Sequence, residues 1–394
     1  PQAVYKLKDY WRNSGLELLE KVSTLNNIEN LINDLNLDKC VNKPVSELSG
    51  GELQRLSIAV TSTKDADVYF FDEPSSYNDV FQRLSVSKVI QKLADKGKSV
   101  ILVEHDITFL DYLSDYIHII YGESGAYGIV SSSLPSRTGI NVLIDGYLPN
   151  ENIQFRDSKI KFNVYSPEEF ENQNSIILKY DSFSKTFDNF KLNVSEGEIK
   201  LGQILGVIGG NSLGKTTFMK ILAGLEKSDN NNINSTVKIS YKPQYLNSNS
   251  NDNVKTLLYN LNSIRMEDKI FNSEIIRPLS IHKILEKDIK KLSGGELQKV
   301  AIVICLLNDA DIYALDEPSA FIDIEDRIVF AKSIQKFVKS NNKSAIIIDH
   351  DIQLIDIICD SLLLFTGING VKGIANSPSG KLKSMNKFLP NLQM

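Results

Sequence analysis

Apolar residues fall into two rhythms along this chain, and the same succession of rhythms occurs twice. Residues 15–37 carry apolar positions at helical spacing, with Asn and Asp on the polar side, which predicts helix. A second helix is expected to open near residue 50 and to run through 57–61. Residues 67–71 and 99–103 are short apolar runs read as buried strands, and 82–94 between them reads as an amphipathic helix. The later part of the chain repeats this order, with apolar runs at 204–208 and 344–348. Continuous apolar strands alternating with helices predict an α/β fold whose parallel sheet is covered on both faces. The periodicity fades after 116–121, and the polar run 166–175 reads as a boundary. Two Asn- and Ser-rich stretches, 229–235 and 247–253, have loop composition.

The repeat is also literal. Leu-Ser-Gly-Gly-Glu-Leu-Gln stands at Leu48–Gln54 and again at Leu292–Gln298. In both copies an apolar strand ending in Asp-Glu-Pro-Ser follows, its aspartate 24 positions after the leucine, at Asp72 and at Asp316. A repeat of this length with its chemistry in the same order means a duplicated domain. One phosphate-binding loop is present, from Gly209 to Thr217, between an apolar strand and a helical segment. Gly209, Asn211 and Gly214 shape a loop whose amides can approach phosphate oxygens, and the helix that follows adds positive potential. Lys215 is placed to reach the outer phosphates, with Thr216 and Thr217 beside it. Gly210 and Ser212 replace the Pro and Gly of the commoner loop and leave the phosphate-contacting residues in place.

Composition narrows the picture. A chain of 394 residues exceeds a single core, so two domains are expected. No apolar run approaches the ~20 residues that span a bilayer. The net charge of −5 argues against indiscriminate wrapping of nucleic acid. Local basic groups stand at Arg137, Arg156, Lys159 and Lys161, and again at Lys381, Lys383 and Lys387. They read equally as solvated surface or as contact points. Cys40, Cys305 and Cys359 lie far apart without metal-ligand spacing, and the chain reads as cytosolic and reduced, hence cytoplasmic. His118 and His282 take the structural reading, whereas His105 and His350 occupy matching positions after their strands.

These motifs carry a resemblance. Leu-Ser-Gly-Gly-Glu is similar to the signature of ABC-type ATPases, and the strand ending in Asp-Glu-Pro-Ser resembles their Walker B and D-loop. The expected fold class is therefore α/β, with two tandem ABC-type P-loop ATPase domains. Two positions off the register of the repeat, Pro1-Gln2 matches Pro243-Gln244, so the first domain is expected to lack its N-terminal half, as in a truncated product. The expected division is 1–134 for the first nucleotide-binding domain, 135–165 a hinge, 166–375 the second domain, and 376–394 a C-terminal hinge segment.

The resemblance implies ATP and Mg²⁺ as cofactors. Such domains pair head to tail, with ATP between the phosphate loop of one and the signature of the other. By resemblance Lys215, Thr216 and Thr217 hold phosphates and metal, Gln244 reaches the metal or the attacking water, and Asp316 holds Mg²⁺. Glu317 is then the general base, His350 contacts the γ-phosphate, and Phe187 stacks on adenine. From the other domain Ser49, Gly50 and Gly51 cap the γ-phosphate, Glu52 belongs to the same ATP-binding set, and Asp79 is the D-loop residue. The opposite set, Gln2, Asp72, Glu73, His105, Ser293, Gly294, Gly295 and Asp323, is expected to lack a phosphate loop in this chain.

The Glu that ends both signatures, with the segments 103–106, 111–118, 121–128, 136–141, 146–156 and 384–389, resembles the ABC-E family, the RNase L inhibitor proteins that split ribosomes. The resemblance implies ATP hydrolysis coupled to ribosome recycling, with ribosomal subunits and termination or initiation factors as partners and no membrane partner. That family carries paired iron–sulfur clusters, for which this chain has no ligands. Asn78 stands where Leu is usual in the first D-loop, and Ile324 follows Asp323 in the second. A tandem ABC translation factor of another subfamily, a transporter ATPase subunit, and a non-hydrolysing module that binds ATP and ribosomes remain open.

Overall fold

The computed structural model describes residues 11–24, 27–123, 126–156, 159–160, 175–230, 237–244 and 252–388. The chain forms two compact units, Pro1–Phe162 and Asn163–Met394, each with its own core.

In the first unit the helical run near the start is two helices, α1 (Gly15–Val22) and α2 (Ile28–Asp34), not one. Ser23 is extended and Asn27 non-helical, so the chain turns where the spacing alone predicted continuity. The signature opens α3 (Gly50–Ser62), followed by β1 (Val68–Asp72), α4 (Val80–Asp95), β2 (Ser99–Val103) and α5 (Ile107–Leu113). Strands β1 and β2 pair in parallel. They are not buried on both faces as expected. Tyr69 and Phe71 point into the core, while Phe70 is 70% and Ile101 52% exposed. Among the described residues, nothing of this unit covers that second face. Short pairs β3 (Tyr116–Ile117) with β6 (Leu134–Pro135), β4 (Ile120–Glu123) with β5 (Tyr127–Val130), and β7 (Tyr147–Leu148) with β8 (Ile153–Gln154) complete the unit, with α6 (Ser136–Asp145) between.

Much of the segment expected to be a hinge therefore carries structure of its own. Gly146 takes the left-handed turn that ends α6, and the Arg156 guanidinium donates to the carbonyls of Leu143 at 2.7 Å and Ile144 at 3.4 Å. Lys159 pairs with Asp145. Two of the basic groups thus act within the unit, and Lys161 lies outside the described residues.

The second unit begins with β9 (Ile176–Tyr180), β10 (Phe183–Phe187), β11 (Phe190–Val194), β12 (Gly197–Lys200) and β13 (Ile204–Ile208). Then come α7 (Lys215–Leu222), β14 (Ile239–Lys242), α8 (Val254–Glu267) and α9 (Gly294–Leu307). The unit closes with β15 (Ile312–Asp316), α10 (Ile324–Ser340), β16 (Ser344–Ile348), α11 (Ile352–Ile358), β17 (Ser361–Ile368), β18 (Lys372–Ala375), β19 (Ser379–Gly380) and α12 (Lys381–Phe388). The main sheet runs β10-β11-β18-β17-β13-β16-β15-β14, with β19 added to β17. Strands β13, β14, β15, β16 and the first half of β17 are mutually parallel. Every residue of β13, β15 and β16 is buried, because helices cover both sides as the continuous apolar runs predicted. Phe218 and Met219 of α7 lie in the core against Val207, Ala314, Ile346 and Phe365. That packing sets the phosphate loop at the C-terminal end of the sheet, where open α/β sheets bind ligands.

Candidate functional site

The loop from Gly209 to Gly214 joins the buried end of β13 to the first turn of α7. Gly209 has φ 148°, and a Cβ there would lie 2.7 Å from the Phe365 side chain and carbonyl oxygen. Gly214 caps α7 at φ 91°. Side chains disfavour both conformations, so the two glycines let the loop curl. Lys215 is buried, and its ammonium turns back to the carbonyls of Gly209 at 2.8 Å and Gly210 at 2.7 Å. A fixed positive charge thus sits at the mouth of a helix N-terminus, an anion-binding environment. Asn211 lies in the same loop, and Thr217 follows Thr216 in the first turn of the helix.

Asp316 ends β15 with 1% of its surface exposed. Its Oδ2 accepts from the Thr216 hydroxyl at 2.8 Å and from the Tyr241 hydroxyl at 3.2 Å. Its Oδ1 is buried without a hydrogen-bond partner. Burial raises the carboxyl pKa, and the Thr216 bond opposes that. A buried carboxylate oxygen left unpaired beside a threonine hydroxyl fits a hard cation with oxygen ligands.

Glu317 follows in the left-handed region, φ 46°. Its Oε1 lies 3.3 Å from Nε2 of His350. Burial alone would raise its pKa. The neighbouring His350, a bond from Gln244 and the charge of Lys215 outweigh burial and hold it at about 2. Glu317 is thus a buried carboxylate kept ionised, positioned by two side chains from different loops.

Phe187 ends β10 and is 42% exposed, with the Lys185 ammonium 5.3 Å from its ring centre. Strand β10 is pinned from behind. Asp229 Oδ2 accepts from the Thr186 amide at 2.7 Å, and Asn230 Oδ1 from the Ser184 amide at 2.8 Å. One Asn-rich stretch therefore begins as a brace for the strand that carries the aromatic ring.

The first unit reproduces half of this arrangement. Glu73 has φ 48°, and its Oε1 lies 3.3 Å from Nε2 of His105, a contact that lowers its pKa against the effect of burial. Asp72, however, is exposed, unlike its buried counterpart Asp316. Gln2 lies outside the described residues.

Both signatures build the same device. Ser49 caps α3, its hydroxyl accepting from the Glu52 amide at 3.4 Å while the Glu52 carboxylate accepts from the Ser49 amide at 2.8 Å. Ser293 and Glu296 form the same reciprocal cap on α9, through Gly294 and Gly295. A glutamate at the fifth signature position is thus explained by helix capping. Asp79 and Asp323 in turn cap α4 and α10.

Several residues at the site went unnoticed in the sequence. Lys242 is 1% exposed and donates to the carbonyl of Asp316 at 2.9 Å and of Pro243 at 3.2 Å. Burial lowers its pKa to about 8 against the pull of Asp316, Glu317 and Asp349. A lysine among strand residues just before Pro243 was the available signal. Asp349, buried, accepts from the Ser319 amide and hydroxyl at 3.1 and 2.8 Å and ties the Asp-Glu-Pro-Ser turn to the loop bearing His350.

The sequence pattern of the ABC transporter family matches residues 5–76 and 192–320, just over half of the chain. A crystal structure of the archaeal ribosome recycling factor aABCE1, in complex with the archaeal ribosomal stalk protein aP1, shares 40% of its residues with this chain at a TM-score of 0.90. The match covers all of this chain and 76% of that one. The chain belongs to the ABC-E family. This ABC-E chain is also 43% identical to an uncharacterized ABC transporter ATP-binding protein of Methanocaldococcus jannaschii over 96% of its own length and 62% of the relative's. It is 40% identical to translation initiation factor RLI1 of Saccharomyces cerevisiae, over 93% and 61%. The chain thus spans less than two thirds of the length of these curated relatives. Among the described residues, no helix is long and apolar enough to cross a membrane.

Proposed function

We propose that this ABC-E chain binds Mg·ATP in its second unit and hydrolyses it, with the signature of a first cassette closing over the γ-phosphate. The observation that carries the reading is the buried cluster around Asp316. An unpaired carboxylate oxygen, a threonine hydroxyl, a lysine ammonium and an ionised glutamate converge at a helix N-terminus. In the proposed roles, Thr216, Asp316 and Gln244 hold the metal, which when bound neutralises phosphate charge. Lys215, Gly209, Asn211, Gly214 and Thr217 hold the phosphates through ammonium, amides and hydroxyl. Phe187 offers its exposed ring face to the base.

Glu317, ionised at neutral pH, accepts a hydrogen bond from the attacking water and aims it in line with the leaving oxygen. His350 steadies that carboxylate and reaches the γ-phosphate. Phosphoryl transfer asks little covalent work of the protein, so positioning and charge carry the rate. Ser49, Gly50, Gly51 and Glu52 form the capping half, and Asp79 reports its state. The set Asp72, Glu73, His105, Ser293, Gly294, Gly295 and Asp323 would serve an opposite site.

Closure on ATP and release after hydrolysis would drive work on a ribosomal partner. The archaeal relative is described as a ribosome recycling factor in complex with a stalk protein, and the yeast relative as a translation initiation factor. The cytoplasm is the compartment this reading implies.

The test is ATP turnover by the chain beside Glu317→Gln and Ser49→Arg, with ATP binding measured in parallel. Loss of turnover in both variants, with binding retained in Glu317→Gln, supports the reading. Parent turnover that survives Glu317→Gln overturns it. Binding without turnover in the parent assigns this chain to the non-hydrolysing class. Cosedimentation with ribosomal subunits, dependent on a non-hydrolysable ATP analogue, tests the partner.

A further inference from the structure

Asn78, in the first D-loop, is completely buried, and its side-chain amide is fully used. Its Oδ1 accepts from Nη1 of Arg55 at 3.1 Å, and its Nδ2 donates to the carbonyls of Pro74 at 3.2 Å and Ser76 at 3.3 Å. Arg55 lies one turn into the signature helix α3, 5% exposed, and its Nε donates to the Leu35 carbonyl at 2.9 Å. The signature and the D-loop also touch directly. A Cβ on Gly51 would stand 2.7 Å from the Tyr77 carbonyl oxygen, 3.5 Å from Arg55 Nη1 and 3.6 Å from Asn78 Oδ1.

The second unit shares the surrounding scaffold and the close backbone approach, a Cβ on Gly295 standing 2.6 Å from the Phe321 carbonyl oxygen, but lacks the Arg–Asn pair. Arg83 donates to the Asn78 carbonyl and pairs with Asp106, and Arg327 does the same with Ile322 and Asp351. Tyr77 and Phe321 are both left-handed, at φ 62° and 61°. Position 78 corresponds to Ile322, an apolar residue 1% exposed whose side chain offers no acceptor. Position 55 corresponds to Lys299, whose ammonium pairs instead with Asp326 on α10. The two halves therefore differ at one buried joint. In the first the signature helix bonds to the side chain of the D-loop itself, and in the second Ile322 packs there while Lys299 pairs with Asp326 in the first turn of α10.

We infer that Arg55 and Asn78 form a clamp that makes the signature loop (Ser49, Gly50, Gly51) and the D-loop (Asp79) of the first unit move as one piece. A buried, satisfied hydrogen-bond network rigidifies the groups it joins and fixes their relative position. Breaking one leaves buried polar atoms unpaired, so the joint holds or fails as a unit. Both are positioning residues, since neither lies among the residues assigned to nucleotide. The inference rests on the proposed ATPase reading for its consequence, and on geometry alone for the coupling. Its consequence is directional. Nucleotide sensed at Ser49 reaches Asp79 through the D-loop residue beside it, while the equivalent path from Ser293 to Asp323 runs through Lys299 and Asp326 on α10.

The experiment combines hydrogen exchange with kinetics on the full chain, comparing the parent, Asn78→Leu, Arg55→Met, the double variant, and Glu317→Gln as control. Asn78→Leu and Arg55→Met each leave one buried partner unpaired, so unfolding midpoints should fall by several degrees with a single cooperative transition retained. The expected result is faster amide exchange at both 50–53 and 77–79 in each single variant, with no added effect in the double. kcat should fall about tenfold while KM for ATP changes less, because the phosphate loop, the metal-holding residues and Phe187 all sit in the other unit and only the capping half is disturbed. Exchange that rises at 77–79 only, or at neither segment, overturns the clamp, as do additive effects in the double variant. Glu317→Gln separates the two readings: turnover indifferent to it removes the ATPase assignment, and the exchange result still decides the clamp.

Discussion

Two buried carboxyl groups stand at the centre of the candidate site, and their neighbours set their states in opposite directions. Asp316 is held by Thr216 and Tyr241 on one oxygen and left open on the other. Glu317 is kept ionised well below the ordinary carboxylate range, at about 2 against 4.5. A depressed native pKa contributes stability that is present above the unfolded value and lost as pH falls through the folded one. The parent should therefore lose stability relative to Glu317→Gln as pH drops from about 4.5 toward 2, and the difference should be flat above about 5. Denaturant midpoints across that range decide it. A constant difference down to pH 3 would mean that Glu317 is not held ionised by its neighbours.

The motif residues at this scale were legible in the sequence, because phosphate and metal chemistry demands particular side chains at particular spacings. Lys242 and Asp349 were not, since nothing in a linear pattern says that a lysine will be sealed against the backbone of a strand 74 residues away.

At the scale of elements, the brace on β10 shows how a loop of unpromising composition serves the site. Asp229 accepts from the Thr186 amide, one residue before Phe187. Asp229→Ala should cost about 1 kcal/mol, and it should weaken ATP affinity a few-fold by loosening the strand that presents the ring. A titration with ATP beside thermal unfolding checks both, and unchanged affinity would detach the brace from the site. Helix boundaries at the capped ends agree with the sequence because Ser49 and Ser293 announce themselves three residues before a glutamate. The break between α1 and α2 was missed because helical spacing continues across it. Backbone geometry at Ser23 and Asn27, not the apolar pattern, ends one helix and starts the next.

At the scale of the whole molecule, the two repeated strands behave differently in the two units. Phe70 and its counterpart Ala314 occupy the same position in β1 and β15, yet Phe70 is 70% exposed and Ala314 fully buried. Phe70→Ser should change stability by less than about 0.5 kcal/mol and reduce self-association, because an exposed apolar face is an association hazard. Light scattering and thermal unfolding test this, and a large loss of stability would show that the face is covered in solution. The sequence by itself determined the duplication, the fold class, the phosphate loop and the candidate catalytic residues, since these follow from local spacing and side-chain chemistry. Only the tertiary structure decided which strands are covered, which carboxylates stay ionised, and how Arg55 reaches Asn78. Those depend on neighbours brought together from distant parts of the chain, and burial is a property of the packed whole.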